Sequence, residues 1–218
     1  MSADADLFFA LHAGDVDTVR AALAVDPARA SARDADGISL LMAALYHRQG
    51  DLVEHLLGLV SSLNAFECAA LGRTSDLMSL LARAPTALTS RSRDGYTLLH
   101  LGAYFGHADL ATHLIRRGAA VDAIAANVTL VRPLHSAVAA GSVRVAQVLL
   151  DAGADPDAPQ RGGWTALHGA AQRGDSDLVD LLLQRGSRID LTSDDGRTAA
   201  DLARDQGFHA LAARLARP

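Results

Sequence analysis

The chain contains no lysine. All 20 of its basic residues are arginine, and among its 25 acids only Glu54 and Glu67 are glutamates. The skew toward arginine and alanine is what a GC-rich, bacterial coding sequence produces, and it carries no mechanism by itself. A single cysteine, Cys68, excludes an internal disulfide framework. No apolar run approaches the roughly 18 residues that a membrane span requires. The stretch from Met1 to Asp6 is acidic where an export signal would be basic. The expected compartment is therefore the cytoplasm, with no membrane partner. The net charge of −5 argues against a dedicated nucleic-acid binder, which would carry a basic surface.

What the chain does have is a period. Gly95-Tyr-Thr-Leu-Leu-His100 is matched by Gly163-Trp-Thr-Ala-Leu-His168, with Arg132-Pro-Leu-His135 between them and Gly196-Arg-Thr-Ala-Ala-Asp201 after them. The anchor positions 100, 135, 168 and 201 are 35, 33 and 33 residues apart. A glycine follows each anchor by six residues, at 106, 141, 174 and 207. Paired aliphatics come next (Leu114-Ile115, Leu149-Leu150, Leu182-Leu183), and then turns at Gly118-Ala-Ala-Val-Asp122 and Gly153-Ala-Asp-Pro-Asp157. A fixed period of this length means stacked copies of one small unit.

These residues resemble the ankyrin repeat, a β-turn followed by two antiparallel helices in about 33 residues. The resemblance implies an all-α solenoid of about seven helix-turn-helix repeats with short turn or hairpin loops. The residues agree with it physically. Thr97, Thr165 and Thr198 stand where helix N-caps are needed, and Pro133 suits a first helical position. The glycines at 106, 141 and 174 end the first helix of each unit. Leu178, Val179, Leu181, Leu182 and Leu183 give the second helix an apolar face. Small residues such as Gly102-Ala103 and Ala170-Ala171 let neighbouring helices approach.

Upstream the register is looser. Phe8 falls in the anchor position of a first unit and Gly37-Ile-Ser-Leu-Leu-Met42 opens a second. Glu67 anchors a third only 25 residues after Met42, with Ser61-Ser-Leu-Asn64 replacing the usual long loop. The expected organisation is one domain, 1–218. It divides into an N-terminal capping repeat 1–33, repeat 2 at 34–60 with a truncated loop, a degenerate repeat 3 at 61–93, repeats 4, 5 and 6 at 94–126, 127–159 and 160–192, and a C-terminal capping repeat 193–218. The last repeat ends in Arg214, Arg217 and Pro218, a polar end suited to water. The expected state is a monomer.

His100, His135 and His168 recur at equivalent points and invite a metal-site reading, which geometry rejects. Helices in contact lie roughly 8–10 Å apart, whereas ligands about 2 Å from one zinc must lie within roughly 4 Å of one another. These histidines are expected to bond backbone and threonine groups. Cys68 sits on an Ala-rich helix as a small buried side chain. There is no Gly-x-Ser-x-Gly elbow and no phosphate-cradling loop ending in Gly-Lys. Aspartates fall mostly in turns, where their backbone chemistry explains them. No enzyme activity, metal or cofactor is expected.

The aromatics carry the functional expectation. By the geometry that the resemblance implies, residues just before the capping Thr and just before the helix-ending Gly face a concave groove. Tyr96 and Trp164 belong to the first class, and Tyr46, Tyr104 and Phe105 to the second or beside it. Arg93, Arg132, Arg161, Arg173 and Arg197 join them. Tyr, Trp and Arg are enriched at interface hot spots. The expected function is a non-catalytic adaptor or scaffold binding a partner protein, with an acidic or amphipathic segment suited to this groove. Single-stranded nucleic acid bound through the same surface is the alternative, and metal-dependent hydrolysis is a more remote one.

Overall fold

The computed structural model describes residues 4–216. Among these, fourteen α-helices follow one another in antiparallel pairs. They are α1 (Ala5–His12) with α2 (Val16–Val25), α3 (Leu40–Tyr46) with α4 (Gly50–Leu57), and α5 (Ala65–Ala70) with α6 (Thr74–Arg83). Then come α7 (Leu98–Tyr104) with α8 (Ala108–Arg116), α9 (Pro133–Ala140) with α10 (Val143–Asp151), α11 (Ala166–Gln172) with α12 (Ser176–Gln184), and α13 (Ala199–Asp205) with α14 (His209–Leu215). First helices form one row, with α7 packed between α5 and α9 and α11 between α9 and α13. Second helices form another, with α10 between α8 and α12. The chain is thus an all-α solenoid. Its only strand-like pairings among the described residues are isolated bridges from Arg33 to Ser39 and from Thr192 to Thr198.

The helix starts follow from local chemistry. In five of the seven first helices the anchor side chain, third in the helix, turns back to accept the backbone N–H of the N-cap residue. His100 Nδ1 does so from Thr97 at 3.3 Å, His135 from Arg132 at 3.1 Å and His168 from Thr165 at 3.2 Å. Glu67 does the same from Asn64 at 2.9 Å and Asp201 from Thr198 at 3.0 Å. Three kinds of side chain, His, Glu and Asp, thus satisfy the equivalent donor in five units. In α1, counting from the N-cap Asp4 makes buried Leu7 the third residue, rather than the Phe8 that the spacing suggested.

Stacking needs close backbone approach. A Cβ on Gly72 (φ +68°) would lie 2.6 Å from the His107 ring, and one on Gly174 (φ +68°) 2.5 Å from the Phe208 ring. The fourth and seventh units thus cover the helix-ending glycines of the third and sixth. On the loop side, Asp122 accepts the Asp155 N–H at 3.1 Å and Asp157 the Arg188 N–H at 2.9 Å. These bonds tie successive turns together. Arg214 reaches back to Asp180 at 2.8 Å, while Arg217 and Pro218 lie outside the described residues.

The third unit is short. Its first helix has six residues, and nothing longer than 58–64 connects it to α4. The turn of the second unit therefore meets that of the fourth, and a Cβ on Gly37 would sit 3.2 Å from the Arg93 side chain. The apolar interior divides near the same place. One cluster runs from Leu7 to Leu56, and a larger one takes in Met42 and then Cys68 through Leu215.

Candidate functional site

The histidine row is structural. Nε2 of His100 lies 3.0 Å from the Val131 carbonyl, and Nε2 of His168 lies 3.1 Å from the Arg197 carbonyl, each in the next turn. A carbonyl only accepts, so Nε2 carries the proton and Nδ1 accepts from the N-cap threonine. His135 is also buried, but its Nε2 has no hydrogen-bond partner. Desolvation holds all three rings neutral, pushing His100 and His135 down to about 4 and lowering His168 in the same sense. Among the described residues, no three His, Cys, Asp or Glu side chains converge on a metal-sized point. Burial also pushes the Cys68 thiol up to about 11, which keeps it protonated near neutral pH.

The groove lies along the first-helix row and the turns that precede it. A cleft of about 560 Å³ is lined by Tyr46, Asp94, Tyr96 and Tyr104, with His100, Val131 and Gln160 among its remaining walls. A second hollow of about 280 Å³ lies beside it, lined by Trp164, Gln172 and Arg173 and sharing His135, Ala139 and Gln160 with the first. Tyr46 and Phe105 stack with centroids 5.9 Å apart, and both meet Tyr104 edge-on, at 6.3 and 5.1 Å. Phe105 thus braces the wall of the groove. Tyr46, Tyr96 and Phe105 also pack in part on the apolar core.

The arginines are less uniform than the sequence suggests. Arg197 is committed to Asp195 at 2.8 Å and Asp205 at 3.2 Å. Arg161 braces the neighbouring turn, its backbone N–H donating to Thr129 at 3.0 Å and its guanidinium to the Val128 carbonyl at 3.4 Å. That turn carries the extra residues of the 35-residue spacing and places Leu130 at φ 54°. Arg93 is exposed and lies against Gly37, and Arg173 is exposed and lies over Gly141. Arg132 is half-buried, with an Nε that has no partner.

Asp94 is the residue that sequence reasoning undervalued. It accepts from the Tyr46 hydroxyl at 2.5 Å and from the Ser92 hydroxyl, while its backbone carbonyl accepts from Asn127 at 2.8 Å. Tyr46 is 48 residues away. Only the shortened third unit brings the two together, so the one advance signal was the 25-residue spacing itself. No described helix is long and apolar enough to cross a membrane.

Known proteins carry the same pattern. A family model described as ankyrin repeat matches residues 94–126, and one described as ankyrin repeats (many copies) matches 134–183. The nuclear factor NF-kappa-B p105 subunit of Gallus gallus is 28% identical over 214 residues, covering 90% of this chain and 22% of that protein. Cyclin-dependent kinase inhibitor 2A of Monodelphis domestica is 41% identical over 76 residues, covering 34% of this chain and 44% of that protein. An ankyrin repeat-containing protein of Treponema pallidum is 33% identical over 129 residues, covering 59% of this chain and 43% of that protein. The chain spans less than half the length of each. With ankyrin-repeat models matching 94–126 and 134–183 and a repeat-containing relative 33% identical over 129 residues, the chain belongs to the ankyrin-repeat family.

Proposed function

We propose that this protein is a non-catalytic adaptor that holds a segment of a partner protein in its concave groove, acting as a cytoplasmic monomer. The observation that carries the reading is Trp164. Its half-buried ring borders an open hollow on the groove, and it is absent from the side chains packed on the apolar core. Its ring lies beside His168, with centroids 6.2 Å apart, and a half-buried tryptophan at the edge of an open hollow suits an interface. An acidic or amphipathic segment suits the exposed Arg93, Arg161 and Arg173, with Arg132 half-buried. Similarity to a protein named as an inhibitor of a kinase supports a function exerted on another protein.

Trp164→Ala is expected to cost about 2 kcal/mol of binding, roughly thirtyfold in affinity, with unchanged helical circular dichroism. The test is affinity capture of a partner from the source lysate, comparing wild type with Trp164→Ala and with a Tyr96→Ala, Trp164→Ala double variant. A protein retained by wild type and lost by both variants supports the groove. Equal recovery by all three moves the binding surface elsewhere, and loss of helical signal in Trp164→Ala removes the premise.

A further inference from the structure

We propose that the tyrosine-lined cleft receives a positively charged side chain, lysine or arginine, from the bound segment; this rests on the protein-binding reading of the groove. The chain has three tyrosines, and all of them line this cleft, brought from two different units. At its edge stands Asp94, half-buried and held by the hydroxyls of Tyr46 and Ser92. Among the described residues no cation pairs with it.

The protein itself displays what an aspartate in this position takes. In the last turn, Ser193 repeats the part of Ser92. Its hydroxyl donates to the carboxylate of Asp195, two residues on, at 2.5 Å, and accepts the Arg197 N–H at 3.3 Å. Ser92 likewise donates to Asp94 and accepts the Tyr96 N–H at 3.0 Å. In the last turn the cation is internal, with Arg197 Nε 2.8 Å from Asp195. In the earlier turn Tyr96 occupies the position of Arg197, so the carboxylate keeps its serine but has lost its guanidinium. What replaces the guanidinium is an aromatic wall.

Carboxylate and tyrosine faces both favour a cation, and a long aliphatic stem would lie along Leu101 and Val131. A neutral apolar side chain would strip water from Asp94 and offer nothing in return, and an acidic one would be repelled. The cleft, about 560 Å³, has room for such a side chain and part of its backbone.

The test is a titration of the purified full chain, followed by NMR of the tyrosine rings. The probes are the Nα-acetyl methylamides of arginine, lysine and norleucine. The cationic probes are expected to perturb Tyr46, Tyr96 and Tyr104, and to bind at least about fivefold more tightly than norleucine. Asp94→Asn should remove that preference. Because Asp94 also organises its turn, Tyr104→Leu, which touches none of its hydrogen bonds, should weaken the cationic probes by a similar factor. Equal binding of norleucine and arginine, silence of the tyrosines toward the cationic probes, or wild-type affinity in both variants would overturn the proposal. Such a result beside a partner still lost on Trp164→Ala would leave the groove standing and remove only the cation pocket.

Discussion

Arg48 sits at φ 56°, in the left-handed region where equivalent points of later units carry Gly106 and Gly141, at φ 81° and 70°. A side chain with a Cβ is strained there by roughly 1–2 kcal/mol, and glycine's larger unfolded-state entropy offsets part of that. Arg48→Gly is therefore expected to stabilise the protein by about 0.5–1 kcal/mol, read as a higher urea midpoint at unchanged slope. The buried histidines give a second residue-scale outcome. His100 and His135 are depressed from 6.5 to about 4 by burial, so the native state resists protonation that the unfolded chain accepts. Their contribution is fully present above pH 6.5 and is lost as pH falls toward 4, at up to about 1.4 kcal/mol per pH unit per group. Asp201, lowered from 3.8 to about 2, contributes throughout that window and loses its effect only below it. Urea midpoints between pH 7 and 4 should thus fall, and His100→Gln should flatten the slope; a pH-independent midpoint would contradict the burial argument. The Thr-x-x-His spacing made the roles of His100 and His168 readable in advance, because capping is a local event. Asp94 was not readable in that way, since its hydroxyl donor Tyr46 arrives from another unit.

At the scale of the element, the shortened third unit shows how local and tertiary chemistry divide the work. Its 25-residue spacing predicted a missing loop. That Glu67 would serve as anchor was also legible. What fills the gap was not, because it depends on which neighbours close over it. Glu67 is buried, with one oxygen accepting the Asn64 N–H at 2.9 Å and the other accepting the Ser39 hydroxyl at 2.7 Å. A side chain standing in for histidine thereby bonds to the unit before it, whereas His100 bonds to the unit after it. Glu67→Leu leaves the buried Ser39 hydroxyl unpaired, at about 1–3 kcal/mol, and the part-buried Asn64 N–H as well, at less. Glu67→Gln keeps an oxygen for Asn64 and an amide that can donate to Ser39, so its cost should be about 1 kcal/mol or less. Thermal or urea unfolding of the two variants distinguishes them, and equal losses would mean that packing volume, not hydrogen bonding, sets the requirement.

In a solenoid each unit touches only its neighbours, so stability is a sum of unit and interface contributions and the weakest interface sets where the molecule opens. Here the interior splits into a cluster from Leu7 to Leu56 and a larger one that continues through Leu215. The larger one begins again at α5, six residues long, whose Cys68, Ala69 and Ala70 it includes and which lacks the long turn that would widen its contact with the smaller cluster. The first cluster is also less well closed: Phe9 and Val25 are 77% and 88% exposed. These are the marks of a unit that opens below the global free energy. Native-state hydrogen exchange should therefore show the amides of α1 to α4 exchanging through a shared, lower-energy opening, with α7, α9 and α11 protected up to global unfolding. Strengthening the smaller cluster by Arg48→Gly should raise protection in α3 and α4 and leave that of α9 and α11 nearly unchanged. Uniform protection from α3 to α13, or a gain spread evenly over the chain, would mean that Glu67, Ser39 and the contact between Gly37 and Arg93 couple the two clusters into one cooperative body. In that case Tyr46 would be held as firmly as Tyr96 and Tyr104. In the expected case the cleft straddles the boundary, and a segment bound across Tyr46 and Asp94 should slow exchange in α3 more than in α9.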